Sequence, residues 1–249
     1  MTRAARLLSL LSLLLLLAVG CVAPVTEEGA EPVADPAAPD SPRATEAPAE
    51  PAPAAAPPPV EPQPLSKDEA TALGVGGLVS AMGFDALVPH GELQELHALA
   101  REGALVVVLT SLRCPVARLY APGIAELAAR HPQARFLVVG VAARDTPEDL
   151  RAAAGRHGWT LVTHDLHGDW VQELQAQRTT ECFVIDRQGV LRYRGAIDDQ
   201  YGQGYRRAEP RHRYLEDALQ AVLAGEPVAV PATSAPGCVV VAPPREAAR

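Results

Sequence analysis

Two continuous apolar runs near the middle of the chain predict buried strands. The segments Ala104–Thr110 (ALVVVLT) and Arg135–Val141 (RFLVVGV) are rich in β-branched residues and show no alternation of polar and apolar positions. Runs of this kind are typical of strands that are covered on both faces. The chain is therefore expected to contain a central sheet with cover on each side.

Apolar residues at helical spacing flank these runs. Pro115 and Pro147 stand where the first turn of a helix tolerates proline, and Thr146 is a suitable cap for the second of these helices. The spacing predicts five helices, at Glu92–Arg101, Pro115–Arg130, Pro147–His157, Trp170–Ala176 and Arg211–Ala224.

The pattern changes after residue 180. Glu181–Asp186 and Val190–Arg194 read as an antiparallel hairpin around a turn at 187–189, and Leu161–Thr163 is a possible short strand before it. Strands that alternate with helices and then end in a hairpin and a helix predict an α/β fold. The expected architecture is a central mixed β-sheet flanked by helices on both faces.

The amino terminus has the pattern of an export signal. Arg3 and Arg6 precede an apolar run that ends in Gly20-Cys21, too short to span a bilayer comfortably. The end of the run resembles a bacterial lipobox, which implies a signal peptide over 1–21, lipidation of Cys21 and a membrane-anchored protein of the cell envelope. Cleavage by an ordinary signal peptidase, which leaves Cys21 unlipidated, is the alternative.

Composition divides the rest of the chain. Residues 22–64 hold 13 of the 24 prolines and eight acidic residues against one arginine, which predicts a disordered linker. Residues 65–229 are expected to form the folded domain, and residues 230–249 a flexible Pro/Gly-rich tail. Since the linker carries most of the net charge of −8, the folded part is nearly neutral and does not indicate a nucleic-acid partner.

Cys114 is the best-placed candidate nucleophile. It follows a predicted buried strand directly and precedes Pro115, at the start of a helix whose amide groups and dipole lower a thiol pKa. Arg113 and Arg118 add positive charge nearby. A small buried thiol in a helix cap is the non-functional alternative.

The segments Ser-Leu-Arg-Cys-Pro (111–115) and Thr-Glu-Cys-Phe-Val-Ile-Asp-Arg-Gln-Gly-Val-Leu-Arg-Tyr-Arg-Gly (180–195) resemble the redoxin branch of the thioredoxin superfamily, which includes the AhpC/TSA proteins. The resemblance implies a thioredoxin-like fold and thiol-based oxidoreductase or antioxidant peroxidase activity with no dissociable cofactor. It also implies an external thiol reductant or redox partner protein. Ser111 takes a position from which it would stabilise the Cys114 thiolate, and Thr180 and Pro115 fall in the partner-binding groove.

Several positions depart from the family pattern. Ala117 stands where a dithiol site has its second cysteine, Val107 replaces the proline of a peroxiredoxin site, and Thr180 stands at the usual cis-proline. These departures argue against a generic disulfide reductase, because Ala117 cannot resolve a mixed disulfide on Cys114.

Cys182 and Cys238 are the two candidates for the resolving cysteine. Cys182 lies two residues beyond Thr180 on a predicted strand, hence on the same face; the alternative is a buried core thiol. Cys238 lies in the expected tail, where it would regenerate Cys114 or pair with a partner.

Two further clusters of polar residues are not predicted to be reactive sites. The run His164–Asp169 (HDLHGD) contains metal-ligand residue types, but a surface loop is the expected reading, and no metal site is predicted. Asp198 and Asp199 are expected to form a turn or a structural latch.

The sequence thus predicts an exported redoxin that uses Cys114 to attack a hydroperoxide or a disulfide. A non-catalytic thioredoxin-like binding module with a vestigial Cys114 and a thiol-based metal carrier are the alternatives.

Overall fold

A computed structural model describes residues 60–241. The predicted signal segment 1–21, with Cys21, and the linker up to residue 59 lie outside the described residues. The helices are α1 (Lys67–Ala72), α2 (Leu96–Arg101), α3 (Pro115–Arg130), α4 (Pro147–His157), α5 (Asp169–Glu173) and α6 (Tyr214–Ala224). The strands are β1 (Gly83–Ala86), β2 (Glu92–Glu95), β3 (Ala104–Thr110), β4 (Ala134–Gly140), β5 (Val162–His164), β6 (Cys182–Asp186), β7 (Leu191–Gly195), β8 (Tyr201–Gly202) and β9 (Tyr205–Arg206). Within this range no helix is both long and apolar enough to cross a bilayer.

Five strands form the central sheet in the order β5-β4-β3-β6-β7. Strands β3, β4 and β5 are parallel, whereas β6 pairs antiparallel with both β3 and β7. The sheet is therefore mixed, and it carries helices on both faces. This confirms the predicted fold class, a thioredoxin-like α/β fold.

The side chains of β3 explain why its sequence is apolar throughout. Ala104, Val106 and Val108 point into the cluster that contains α3, α4 and α6, and the intervening residues 105, 107 and 109 point into the cluster that contains α2 and α5. Because successive side chains of a strand alternate between faces, a strand covered on both sides needs an apolar residue at every position.

Three predicted helices are shorter than expected: the one over 170–176 ends at Glu173, the one over 211–224 begins at Tyr214, and the one over 92–101 loses its first four residues. The helical pattern begins at Glu92, but residues 92–95 form β2, which pairs with β1, and the helix starts only at Leu96. The Glu95 carboxylate accepts hydrogen bonds from the amides of His97 and Ala98 and so caps α2. Leu93, which completed the apolar spacing, is 77% exposed.

The sequence predicts a flexible tail over 230–249, but the described part of that range, residues 230–241, packs against the domain. Ala232 and Thr233 are buried, and the Thr233 amide donates to the Arg194 carbonyl at 3.1 Å. The Thr233 hydroxyl accepts from the Ala196 amide, and a Cβ on Gly195 (φ +140°) would lie 2.2 Å from that hydroxyl oxygen. The last residues of the expected linker also pack here, since the Ser234 amide donates to the Gln63 carbonyl.

A buried ion pair joins β7 to the segment before β6. Arg194 and Glu181 are 1% and 4% exposed, and their side chains are in direct contact, with the Arg194 Nε at 2.9 Å from the Glu181 Oε1. The Arg194 guanidinium also donates to three backbone carbonyls, at Leu73, Leu174 and Gln175. All of its donor nitrogens are thus satisfied inside the protein.

We expect Arg194→Gln to lower the free energy of unfolding by about 3–5 kcal/mol, because it leaves the buried Glu181 carboxylate without its counter-charge. The matched control is Arg135→Gln, whose ion pair with Glu102 is about half exposed; its cost should be below about 1 kcal/mol. Urea titration followed by circular dichroism measures both, and equal losses would contradict a special role for the buried pair.

Candidate active site

The loop between β3 and α3 places Cys114 at the amino end of a long helix. Cys114 is the N-cap residue of α3, in extended conformation, and Pro115 occupies the first turn. The Leu112 amide donates to the buried Asp145 carboxylate at 2.8 Å, and the Cys114 amide donates to the Ser111 carbonyl. The loop is therefore held from both sides, and Cys114 is only 2% exposed.

The surroundings of the Cys114 thiol favour its ionised form. Burial raises the pKa of this thiol, but hydrogen bonds from the Thr179 hydroxyl, the Ala117 amide and Cys238 outweigh burial and lower the pKa below its ordinary value. The Ala117 amide belongs to the first turn of α3, which the helix leaves without a partner of its own. Cys114 is thus a buried thiol arranged to carry negative charge.

Cys238 lies directly beside Cys114, although the two are 124 positions apart in the chain. Its amide donates to the Thr179 hydroxyl at 3.1 Å, and its carbonyl accepts from the Thr179 amide at 3.0 Å. The hydrogen bond to Cys114, together with burial, raises the pKa of Cys238. In this pair Cys114 is the better thiolate and Cys238 remains the protonated thiol.

Cys182, the other candidate partner, lies in the core. It is fully buried on the sheet face that packs against α3 and α6, and its thiol donates to the Gly195 carbonyl at 3.2 Å. Burial raises its pKa well above the ordinary value. The Cys114 thiol takes its hydrogen bonds from Thr179, Ala117 and Cys238, not from Cys182.

The polar residues predicted around Cys114 point elsewhere. The Ser111 hydroxyl accepts from the Arg113 amide at 3.3 Å. The Arg113 guanidinium is largely exposed and lies 3.8 Å from Asp145, and Arg118 is exposed on α3. The hydrogen bonds that lower the pKa of Cys114 come from Thr179, Ala117 and Cys238 instead.

Thr180, the predicted groove residue, and its neighbour Thr179 make different contacts. Thr180 donates its hydroxyl to the Pro236 carbonyl, whereas it is Thr179 whose hydroxyl contacts the thiol. The sequence signal that could have identified Thr179 is the Thr-Thr pair itself, since either hydroxyl lies in the segment before β6. Pro115 is exposed at the start of α3.

Asp198 and Asp199 form a latch rather than a catalytic pair. The Tyr120 hydroxyl of α3 donates to the Asp198 carboxylate at 2.7 Å, and the Tyr120 and Tyr201 rings meet edge to face. Asp199 accepts from the amides of Arg211 and His212. The latch joins the segment after β7 to the helix that begins at Cys114.

The His164–Asp169 run is also structural. Asp165 accepts from the Trp170 and Val171 amides and so caps α5. The His164 ring contacts the Ala142 carbonyl at 3.3 Å. Within residues 60–241 no three His, Cys, Asp or Glu side chains are grouped so that they could hold a metal ion.

Comparison with known proteins places the chain in a family. Residues 66–205, more than half of the chain, match the Redoxin family. The fold therefore defines a protein of the thioredoxin-like class, and within that class the chain belongs to the Redoxin family.

Solved structures agree with this fold. An uncharacterized conserved protein from Geobacillus kaustophilus superposes with a TM-score of 0.61 at 20% identity, covering 77% of this chain and 100% of that one. A hypothetical protein from Sinorhizobium meliloti 1021 gives 0.58 at 24% identity, covering 67% and 93%. No curated protein matches the sequence.

We expect Thr179→Val to raise the pKa of Cys114 and to slow its alkylation at neutral pH by about five- to tenfold, because a hydrogen bond to a charged group is lost. Ser111→Ala is the control, and it should leave the pKa unchanged. The pH dependence of the iodoacetamide reaction rate measures both. If Ser111→Ala moved the profile and Thr179→Val did not, the assignment of the thiolate donor would be wrong.

Proposed function

We propose that this protein is a thiol oxidoreductase in which Cys114 is the attacking thiolate and Cys238 the resolving cysteine. The observation that carries the proposal is the position of Cys238, whose main chain is paired with Thr179 and whose thiol is near enough to Cys114 for each to shift the pKa of the other. This position brings a second thiol to the Cys114 thiol, whose pKa is lowered. In a Cys-x-x-Cys site the second thiol would stand at position 117, which here is an alanine.

The reaction with a hydroperoxide follows from this pair. The Cys114 thiolate attacks one peroxide oxygen; the S–O bond forms, the O–O bond breaks, and the alcohol or water leaves with a proton. Cys238 then attacks the sulfur of the sulfenic acid, so that an S–S bond forms and water leaves. A disulfide substrate would give a mixed disulfide instead, which Cys238 resolves by releasing the substrate thiol.

The cycle closes with electrons from outside the chain. An external dithiol donor attacks the Cys114–Cys238 disulfide, leaves as its own disulfide and returns both cysteines to thiols. Since the thiolate is the nucleophile, the low pKa of Cys114 and the raised pKa of Cys238 assign the first attack to Cys114. The fully buried Cys182 takes no part.

Treatment of the reduced protein with one equivalent of hydrogen peroxide should give an intramolecular Cys114–Cys238 disulfide, detected by non-reducing peptide mass spectrometry. Cys182→Ser is the matched control and should form the same disulfide, whereas Cys238→Ser should stop at the sulfenic acid of Cys114. A Cys114–Cys182 disulfide would contradict the assignment of Cys238. A Cys114 that stays reduced would favour the non-catalytic binding module.

We further propose that the domain works on the outer side of the cytoplasmic membrane, anchored by a lipid on Cys21. The support is the sequence of the leader and the linker after it, which lie outside the described residues. In a bacterial host, Cys21→Ser should abolish incorporation of radiolabelled palmitate and move the protein from the membrane to another fraction. Equal labelling of Cys21→Ser would contradict the anchor.

A further inference from the structure

The segment that carries Cys238 is bound to the domain in two unlike ways. Its first part, residues 231–233, is built into the fold, with Ala232 and Thr233 buried and Arg194 bonded to its backbone. Its second part, residues 236–240, lies along the edge formed by residues 177–180. We call this second part, with the adjoining residues 235 and 241, the strap.

The strap binds as an extended strand. Arg178 and Val239 form an antiparallel bridge, and the Val240 amide donates to the Gln177 carbonyl at 3.0 Å. The Thr179 amide and hydroxyl bond the carbonyl and amide of Cys238. These are the main-chain contacts by which an exposed edge takes up any extended peptide.

Gly237 permits the close approach of this strand. Its φ is +112°, and a Cβ there would lie 2.9 Å from the Thr179 hydroxyl oxygen and 3.0 Å from that of Thr180. Because L-residues rarely adopt this φ, a side chain at 237 would be strained even if the threonines moved. The Gly-Cys sequence is therefore fitted to this edge.

Hydrogen bonds hold most of the strap, and Val240 is its one apolar side chain that packs, half-buried, against the cluster containing α2 and α5. Val239 and Val241 are 65% and 80% exposed, and Cys238 itself is exposed. Where the two parts of the segment meet, residues 233–237 help to line a cavity of about 250 Å³ beside Arg178 and Glu181. The hydrogen bonds to Thr179 and Thr180 are part-buried, and water can replace them once the strap lifts, so the strap can leave at a modest net cost while residues 231–233 stay in place.

We propose that the strap occupies, within the chain, a site for an extended cysteine-containing peptide, and that protein disulfides reach Cys114 only when the strap is released. The proposal rests on the proposed role of Cys114 as nucleophile. A tethered segment competes at an effective concentration of about millimolar, so a micromolar peptide is excluded while the strap is docked. A small disulfide reacts with Cys114 without binding the edge at residues 177–180, so the docked strap hinders it less.

The test compares two probes on Cys114 in the full chain carrying Cys21→Ser and Cys238→Ser. In that background the remaining other thiol, Cys182, is fully buried. One probe is 2,2′-dipyridyl disulfide; the other is an extended Gly-Cys peptide activated as its pyridyl disulfide. With each, Cys114 forms a new S–S bond, the old S–S bond breaks, and pyridine-2-thione leaves and is read by absorbance.

Two further changes release the strap in this background: Gly237→Ala and a stop codon after Ser234. Each should raise the ratio of the peptide rate to the small-probe rate by about tenfold or more. A change in the pKa of Cys114 alters both probe rates by the same factor, so it does not change their ratio. A stop after Val241, which removes only residues 242–249, is the matched control and should leave the ratio unchanged.

The outcomes separate the two proposals. A ratio that stays the same in Gly237→Ala and in the shortened chain, while the small probe still reacts, would overturn the strap and leave the proposed function standing. No pyridine-2-thione from either probe in any variant would overturn both. If Gly237→Ala does not fold, the shortened chain still decides, because its core anchor at residues 231–233 is intact.

Discussion

The buried pair of Arg194 and Glu181 is the interaction on which the redox site depends. Arg194 lies on an edge strand of the sheet, yet its side chain turns inward and binds carbonyls at the ends of α1 and α5. One oxygen of the Glu181 carboxylate pairs with the positive charge of the Arg194 guanidinium, and the other accepts a hydrogen bond from the Gln177 amide. A buried pair is stable only when every polar atom around it is bonded, so the irregular segment 174–181 has little freedom. That segment carries Thr179, the hydroxyl beside the nucleophile.

The strand residue Arg194 also determines the position of residues 231–233. The backbone of Arg194 bonds Pro231 and Thr233, so the carboxyl-terminal segment leaves the core next to the loop that Arg194 holds. From there five residues suffice to bring Cys238 to Thr179. In the proposed mechanism the second cysteine thus comes from position 238, and it takes the role that Ala117 in α3 cannot fill. The fold provides by tertiary contact what a Cys-x-x-Cys site provides within one helical turn.

The parts of this site that were predictable from the sequence are the local ones. A buried strand followed by Cys114 and Pro115 requires only the periodicity of two elements and the rule for proline in a first turn, and these held. The position of the Thr179 hydroxyl could not be predicted, because no periodicity runs through residues 174–181, whose conformation depends on an arginine in another strand. Strand alternation correctly predicted that Cys182 lies on the sheet face that packs against α3. It could not predict that the Cys182 thiol donates a hydrogen bond to the Gly195 carbonyl. The role of residues 231–240 was missed because proline and glycine, read as flexibility, here fit a specific edge.

The Thr179 hydroxyl connects access to Cys114 with its reactivity. One hydroxyl offers a single proton and two lone pairs, so it can donate to the Cys114 sulfur while it accepts from the Cys238 amide. A docked strap therefore fixes the hydroxyl with its proton towards the sulfur, and it adds the Cys238 thiol as a further donor. Release of the strap opens the edge but removes both restraints, so the thiolate becomes easier to reach and less favoured. A peptide that then binds the edge with its own amide at the Thr179 hydroxyl restores the first of these interactions, so the contribution of Thr179 to the thiolate is lost only while the groove is empty.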